Sequence, residues 1–163
     1  MYHRNIFLLL GSNIGDRSAQ LELAIKLIEK DIGDVTLKSK IYETAPWGKS
    51  DQPHFLNQAL QIESQLSPDE LLFKVQSIEH NVGRTRIGKW AERIIDVDII
   101  YFGNELINTT DLVIPHPHLA ERKFALIPLV EISPEFIHPG MQKSNAQLLK
   151  ECNDTLLVKE FTS

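Results

Sequence analysis

A chain of 163 residues with 42% apolar and 24% charged side chains has the size and balance of one soluble domain built on a single core, which excludes disordered and fibrous classes. Its formal charge of −5 repels a nucleic-acid backbone, so any anionic ligand has to be met by a local basic cluster. The lone cysteine, Cys152, cannot close an intrachain disulfide, and the apolar run Ile6 to Leu10 is far too short to span a membrane. A cytoplasmic monomer is the expectation.

Taken in order, Ile6 to Leu10 reads as a first strand, and GSNIGD supplies a turn. Leu21, Ala24, Ile25 and Ile28 then recur at helical spacing until Gly33. Residues 35 to 43 and 55 to 63 are rich in β-branched and aromatic types with partial alternation, which predicts two strands joined by a long loop. Ser67 is placed as an N-cap, Pro68 as the first helical residue and Glu70 to close a capping box. Leu71, Val75, Ile78 and Val82 form the buried stripe of that second helix, leaving Gln76 and Glu79 on another face. After a basic loop, DVDIIYFG reads as a strand ending in a glycine turn. The order β, α, β, β, α, β is that of a ferredoxin-like α+β domain: an antiparallel sheet with its helices on one face. From about residue 104, prolines at 115, 117, 128, 134 and 139 predict short strands, helices and loops wrapped on that core. No repeat, low-complexity tract or linker divides the chain, so residues 1–163 are expected to form one domain.

Alternate side chains of a strand share a face, so Asp96 and Asp98 should project together, with Val97, Ile99 and Tyr101 on the other side. Paired hard oxygen ligands suit Mg²⁺ bound together with substrate phosphates. An isolated Asp-x-Asp is more often a charged edge strand, but here GRTRIGKWAER precedes it, placing Arg84, Arg86, Lys89 and Arg93 in a glycine-punctuated loop. Arginine forks match phosphate oxygens, and carboxylates beside arginines point to a metal-dependent nucleotide site rather than to a solvated connection. Phe55 and Phe124 are placed either in the core or as a sandwich for a planar heterocycle whose edge Asn57 reads. His116 and Arg122 can both contact phosphate; His118 beside them lacks the further ligands that zinc requires. The GSNIGD turn lacks the spacing and lysine of a Walker motif.

These segments, together with the Thr44 to Asn57 loop, KWAERIIDVDII, FGNELINT and IPHPHLAERKFALIPL, resemble the 6-hydroxymethyl-7,8-dihydropterin pyrophosphokinase family over nearly the whole chain. The resemblance implies transfer of the β,γ-pyrophosphoryl group of ATP to the pterin hydroxymethyl oxygen, with release of AMP. It further implies two Mg²⁺ on Asp96 and Asp98, with Arg84 and Arg93 stabilising charge during transfer. On the nucleotide side it places Gln76, Glu79, Arg84, Arg86, Arg93, Ile99, His116 and Arg122, with Ile99 contributing backbone. Around the pterin it places Thr44, Phe55, Asn57, Trp90 and Phe124. Where the family often carries Trp-Gly-Pro-Arg, this chain reads Trp90-Ala91-Glu92-Arg93. The alternatives are another Mg²⁺-dependent ATP phosphotransferase, which would use similar ligands, and a ferredoxin-like ligand- or nucleic-acid-binding module, which would want a basic sheet face in place of DVDII.

Overall fold

The structure is a computed structural model that describes residues 2–45, 53–83 and 94–162. The first strand, β1 (His3–Ser12), leads through the GSNIGD turn into α1 (Arg17–Asp31). Asp16 caps that helix, its carboxylate accepting from the Ala19 N–H at 3.2 Å, and Gly15 takes φ +69°, which glycine adopts without steric cost. Gly33 does not belong to the helix end but opens β2 (Gly33–Lys38). A Cβ there would sit 2.0 Å from the Glu63 carbonyl oxygen, so only glycine lets the two strands approach.

The expected single strand over residues 35 to 43 is two: β2 and β3 (Tyr42–Thr44). Buried Ser39 makes the break. Its hydroxyl accepts from the Ala59 N–H at 2.9 Å and donates to the Lys40 carbonyl at 2.6 Å, and its own carbonyl accepts from Gln58 Nε2 at 2.8 Å. Hydroxyl bonds of this kind compete with a regular ladder. Both pieces still pair antiparallel with β4 (Phe55–Ser64), β3 at its start and β2 at its end. The second helix, α2 (Pro68–Gly83), begins with the capping box intact: the Glu70 N–H donates to Ser67 Oγ at 3.2 Å, and the Ser67 N–H donates to Glu70 Oε1 at 2.9 Å. The strand β5 (Asp96–Phe102) closes the expected unit.

Around the sheet the strands run β5, β1, β4, then β3, with β8 (Val158–Glu160) added outside β3. Leu8, Leu10, Leu56, Leu60, Val97 and Ile99 pack on one face with the stripes of α1 and α2, forming the first core. The other face carries a second core of Phe7, Leu9, Ala59 and Tyr101. It is covered by α3 (Lys123–Ile132) and α4 (Asn145–Glu151), which follow a small β6 (Ile107–Asn108) and β7 (Val113–Ile114) hairpin. Pro128 lies inside α3 and removes one rung of the helix. Burial of Ala125, Leu126 and Leu129, at roughly 1.5–3 kcal/mol for each large apolar side chain, outweighs that loss.

Strict alternation also fails once in β5. The register slips between Phe7 and Leu8, which pair with Tyr101 and Ile99, so Ile100 is an extra residue. This bulge turns Tyr101 to the same face as Asp96 and Asp98, where it packs edge-on to Phe7 at 5.7 Å and donates from its hydroxyl to Asn145 Oδ1 at 2.7 Å.

Candidate active site

On the second face, beyond the last apolar layer, the sheet leaves a cavity of about 190 Å³ lined by Leu9, Gly11, Thr44, Ala45, Phe55, Asn57, Asp96, Asp98, Arg122 and Phe124. Its floor follows from register. Asp96 pairs with Gly11 and Gly11 with Asn57, while Asp98 pairs with Leu9, so both carboxylates and the amide stand on one face of three adjacent strands. Gly11 leaves room for the amide at the centre of that row, because a Cβ there would lie 2.9 Å from Asn57 Oδ1 and push it aside. Thr44 and Phe55 pair directly across the β3–β4 ladder and form one wall. Thr44 is fixed by donating from Oγ1 to the Leu157 carbonyl at 3.1 Å.

The opposite wall comes from the start of α3. A short 3₁₀ turn, Leu119–Glu121, anchored by buried Leu119, delivers Arg122 to the helix N-terminus, and its guanidinium lies 5.8 Å from the centre of the Phe124 ring. Phe55 and Phe124 both line the cavity, Phe124 at the edge of the second core with the Arg122 cation over its ring.

His116 stands beside this wall, with its N–H donating to the Ile100 carbonyl at 3.0 Å. Its Nδ1 accepts from the His118 N–H at 3.2 Å, which makes Nε2 the protonated nitrogen of the neutral ring. Burial foremost, then the charges of Arg122 and His118, push its pKa down to about 4, so the imidazole is neutral at physiological pH. His118 instead forms an exposed pair with Glu121 at 3.4 Å.

Glu79 reaches across from α2, and its Oε2 accepts from the Val97 N–H at 2.9 Å, between the two aspartates. It thus pins the backbone that carries them. Gln76 is exposed and borders a separate shallow groove with Phe73 and His80. The Ile99 side chain is buried in the first core, so only its backbone can face a ligand from β5. Arg84, Arg86, Trp90 and Arg93 lie outside the described residues. Leu9, Gly11 and Ala45 are cavity residues that sequence reasoning missed; the signal for the first two is their period-2 spacing on β1, readable only once the strand pairing is known.

Among the described residues no group of three His, Cys, Asp or Glu side chains converges on one point. Two carboxylates alone make a poor cage for zinc. They match the donor set of Mg²⁺, which takes one or two carboxylates and fills its other positions with phosphate and water.

A ferredoxin-like antiparallel sheet with paired aspartates on the floor of a cavity lined by two phenylalanines defines the class: an α+β protein whose candidate site lies on the sheet face covered by α3. The family model for 7,8-dihydro-6-hydroxymethylpterin-pyrophosphokinase matches residues 7–134. A Bacillus subtilis 2-amino-4-hydroxy-6-hydroxymethyldihydropteridine pyrophosphokinase is 47% identical over 127 residues, covering 77% of this chain and 76% of that protein. The Aquifex aeolicus protein of the same name is 40% identical over 156 residues, covering 96% and 94%. Among solved structures, a Plasmodium falciparum HPPK-DHPS triple mutant superposes with a TM-score of 0.76 at 18% identity, over 93% of this chain and 44% of that one, and so speaks to the fold alone. The chain belongs to the 7,8-dihydro-6-hydroxymethylpterin-pyrophosphokinase family.

Proposed function

We infer that the protein transfers the pyrophosphoryl group of ATP to the hydroxymethyl oxygen of 6-hydroxymethyl-7,8-dihydropterin, in folate synthesis. The observation that carries this reading is the meeting of Phe55, Phe124 and Asn57 with Asp96, Asp98 and Arg122 around one cavity. A pterin is flat, with an edge of donors and acceptors. An aromatic pair holds its faces and the Asn57 amide offers both kinds of hydrogen bond.

In the reaction the hydroxymethyl oxygen attacks the β-phosphorus, and the bond from that phosphorus to the α,β-bridging oxygen breaks. AMP leaves with the electron pair, and the hydroxyl proton passes to solvent. Such a transfer needs in-line positioning and charge stabilisation more than covalent help from side chains. Arg122 supplies a fixed positive charge at the cavity wall, and His116 a neutral Nε2–H donor beside it. Glu79 holds the strand between the two aspartates in place. Arg84 and Arg93 are assigned to neutralising the phosphates during transfer, Arg86, Gln76 and the Ile99 backbone to the nucleotide, and Trp90 and Thr44 to the pterin. Asp96 and Asp98 would hold Mg²⁺, two ions between them with ATP, which when bound draws charge from the phosphate oxygens.

We further take residues 1–163 as one domain acting as a monomer in the cytoplasm. Strands from both ends of the chain share one sheet, with β4 pairing to β1, β2 and β3 and β8 added outside β3, and no described helix is long and apolar enough to cross a membrane. The test of function is incubation with ATP, Mg²⁺ and 6-hydroxymethyl-7,8-dihydropterin, with separation of the nucleotide products. Pterin-dependent AMP is expected. ADP in its place, or nucleotide turnover indifferent to pterin, would overturn the reading.

A further inference from the structure

The GSNIGD turn and the residue after it reach directly to the strand pair that walls the cavity. Arg17, the first residue of α1, donates from Nη1 to Glu43 Oε2 at 2.7 Å and to the His54 carbonyl at 2.9 Å. Its guanidinium also lies 5.5 Å from the centre of the Phe161 ring. Two residues earlier in the turn's sequence than Gly15, the buried Asn13 donates from Nδ2 to the Pro53 carbonyl at 3.4 Å.

The positions gripped are not arbitrary. Glu43 precedes Thr44 and His54 precedes Phe55, and Thr44 and Phe55 are the pair facing each other across the ladder in the cavity wall. Glu43 pairs with Leu56, whose side chain lies in the core on the far face of the sheet. Side chains alternate along a strand, so Arg17 holds the wall from behind while the cavity is in front. The other side chains of β3 are tied as well. The Tyr42 hydroxyl donates to Glu131 Oε1 at 2.6 Å, and Thr44 Oγ1 to the Leu157 carbonyl at 3.1 Å. The Arg17 side chain joins β3 to the residue that leads into β4. The arginine is about one-quarter exposed and Glu43 about one-third (25% and 32%), so the pair is partly withdrawn from solvent, and the charged bond is stronger than one in open water.

We propose that Arg17 is a positioning residue for the pterin: by joining Glu43 to the His54 carbonyl it sets the spacing of Thr44 and Phe55, and hence the fit of the flat ring. Arg17 is not among the residues that line the cavity. The inference rests on the pyrophosphokinase reading of the cavity.

The experiment is steady-state kinetics with each substrate varied in turn, on the wild type, Arg17→Ala, Arg17→Lys, Glu43→Gln and the Arg17→Ala/Glu43→Gln pair. Loosening the wall weakens binding of the flat ring in ground and transition states alike, so Arg17→Ala is expected to raise the pterin KM about tenfold, with the ATP KM and kcat within about twofold of wild type. Arg17→Lys keeps a cation that can meet both acceptors and should recover most of the loss. Because Arg17 and Glu43 act as one device, the double variant should be little worse than Arg17→Ala alone.

A merely structural role would lower Tm and kcat through a smaller active fraction and leave the pterin KM where it was; that outcome overturns the proposal. Should Arg17→Ala fail to fold, Glu43→Gln decides on the same readout, an unchanged pterin KM again overturning it. Wild-type protein without pterin-dependent AMP formation overturns instead the reading beneath, whereas active wild type with unaltered variants removes the positioning role alone.

Discussion

At the scale of single residues, the site depends on which atoms cannot be spared. Asp96 and Asp98 are partly exposed on the cavity floor and contribute little to either core. Asp96→Asn or Asp98→Asn keeps shape while removing a charge, so turnover is expected to fall by about 10²–10³-fold or more, the range for losing one fixed electrostatic group in an active site. Tm should stay within a few degrees, and a folded variant with wild-type kcat would refute the metal-holding role. Gly11 is the converse case, a residue with no chemistry whose smallness matters. Gly11→Ala would place a methyl group 2.9 Å from Asn57 Oδ1 and 3.9 Å from Phe55 Cδ1, displacing the amide. A displaced amide loses its hydrogen bonds to the pterin edge, worth about 1 kcal/mol, so the pterin affinity measured by titration should weaken about fivefold. An unaltered affinity would mean that the amide is not a pterin contact.

At the scale of elements, the capping box at α2 gives a stability prediction independent of the site. Both of its reciprocal bonds are present, and the Ser67 N–H bond foremost holds the Glu70 carboxyl below its ordinary range. Ser67→Ala should cost about 1 kcal/mol. For a domain of this size that is a Tm lower by about 2–4 °C, read by thermal unfolding with kinetics unchanged. That box was legible in four consecutive residues because capping is local chemistry. The helical stripes of α1 and α2 and the shared face of Asp96 and Asp98 were legible for the same reason: each depends on spacing within one element. What the sequence withheld depends on contacts between elements. The split at Ser39 requires Ala59 and Gln58 opposite it, and the turn of Tyr101 onto the aspartate face requires the slip against β1. Placing Phe55 and Phe124 in one cavity requires knowing that α3 covers the second face. Leu9 and Gly11 could be assigned to the site only through their pairing with Asp98 and Asp96.

At the scale of the whole molecule, two histidines resist protonation in the fold, and this adds to the loss of stability on the acid side. Burial, with Arg122 and His118 adding to it, brings His116 down to about 4, and burial lowers His138 as well. His138 Nδ1 also accepts from the N–H groups of Gly140 and Met141 at 3.0 and 2.9 Å, and its ring stands edge-on to Tyr101 at 5.6 Å. A proton on Nδ1 would turn both of these acceptor bonds into repulsions. In the unfolded chain each histidine titrates near 6.5, so between that pH and the folded value the unfolded state binds more protons than the native one. The stability that these neutral rings contribute is therefore full above about pH 6.5 and is lost as the pH falls below it, for His116 toward 4, by at most about 1.4 kcal/mol per pH unit for each proton taken up. The measurement is urea unfolding across pH 4.5 to 8 for the wild type and His116→Gln, which keeps a hydrogen-bonding amide and cannot titrate. The difference between the two proteins cancels the carboxylates common to both. It should shrink in the wild type's disfavour as the pH falls below 6.5, with the variant losing less stability than the wild type. Parallel curves over the whole range would show that His116 is protonated as readily in the fold as out of it, and so is not held neutral beside Arg122.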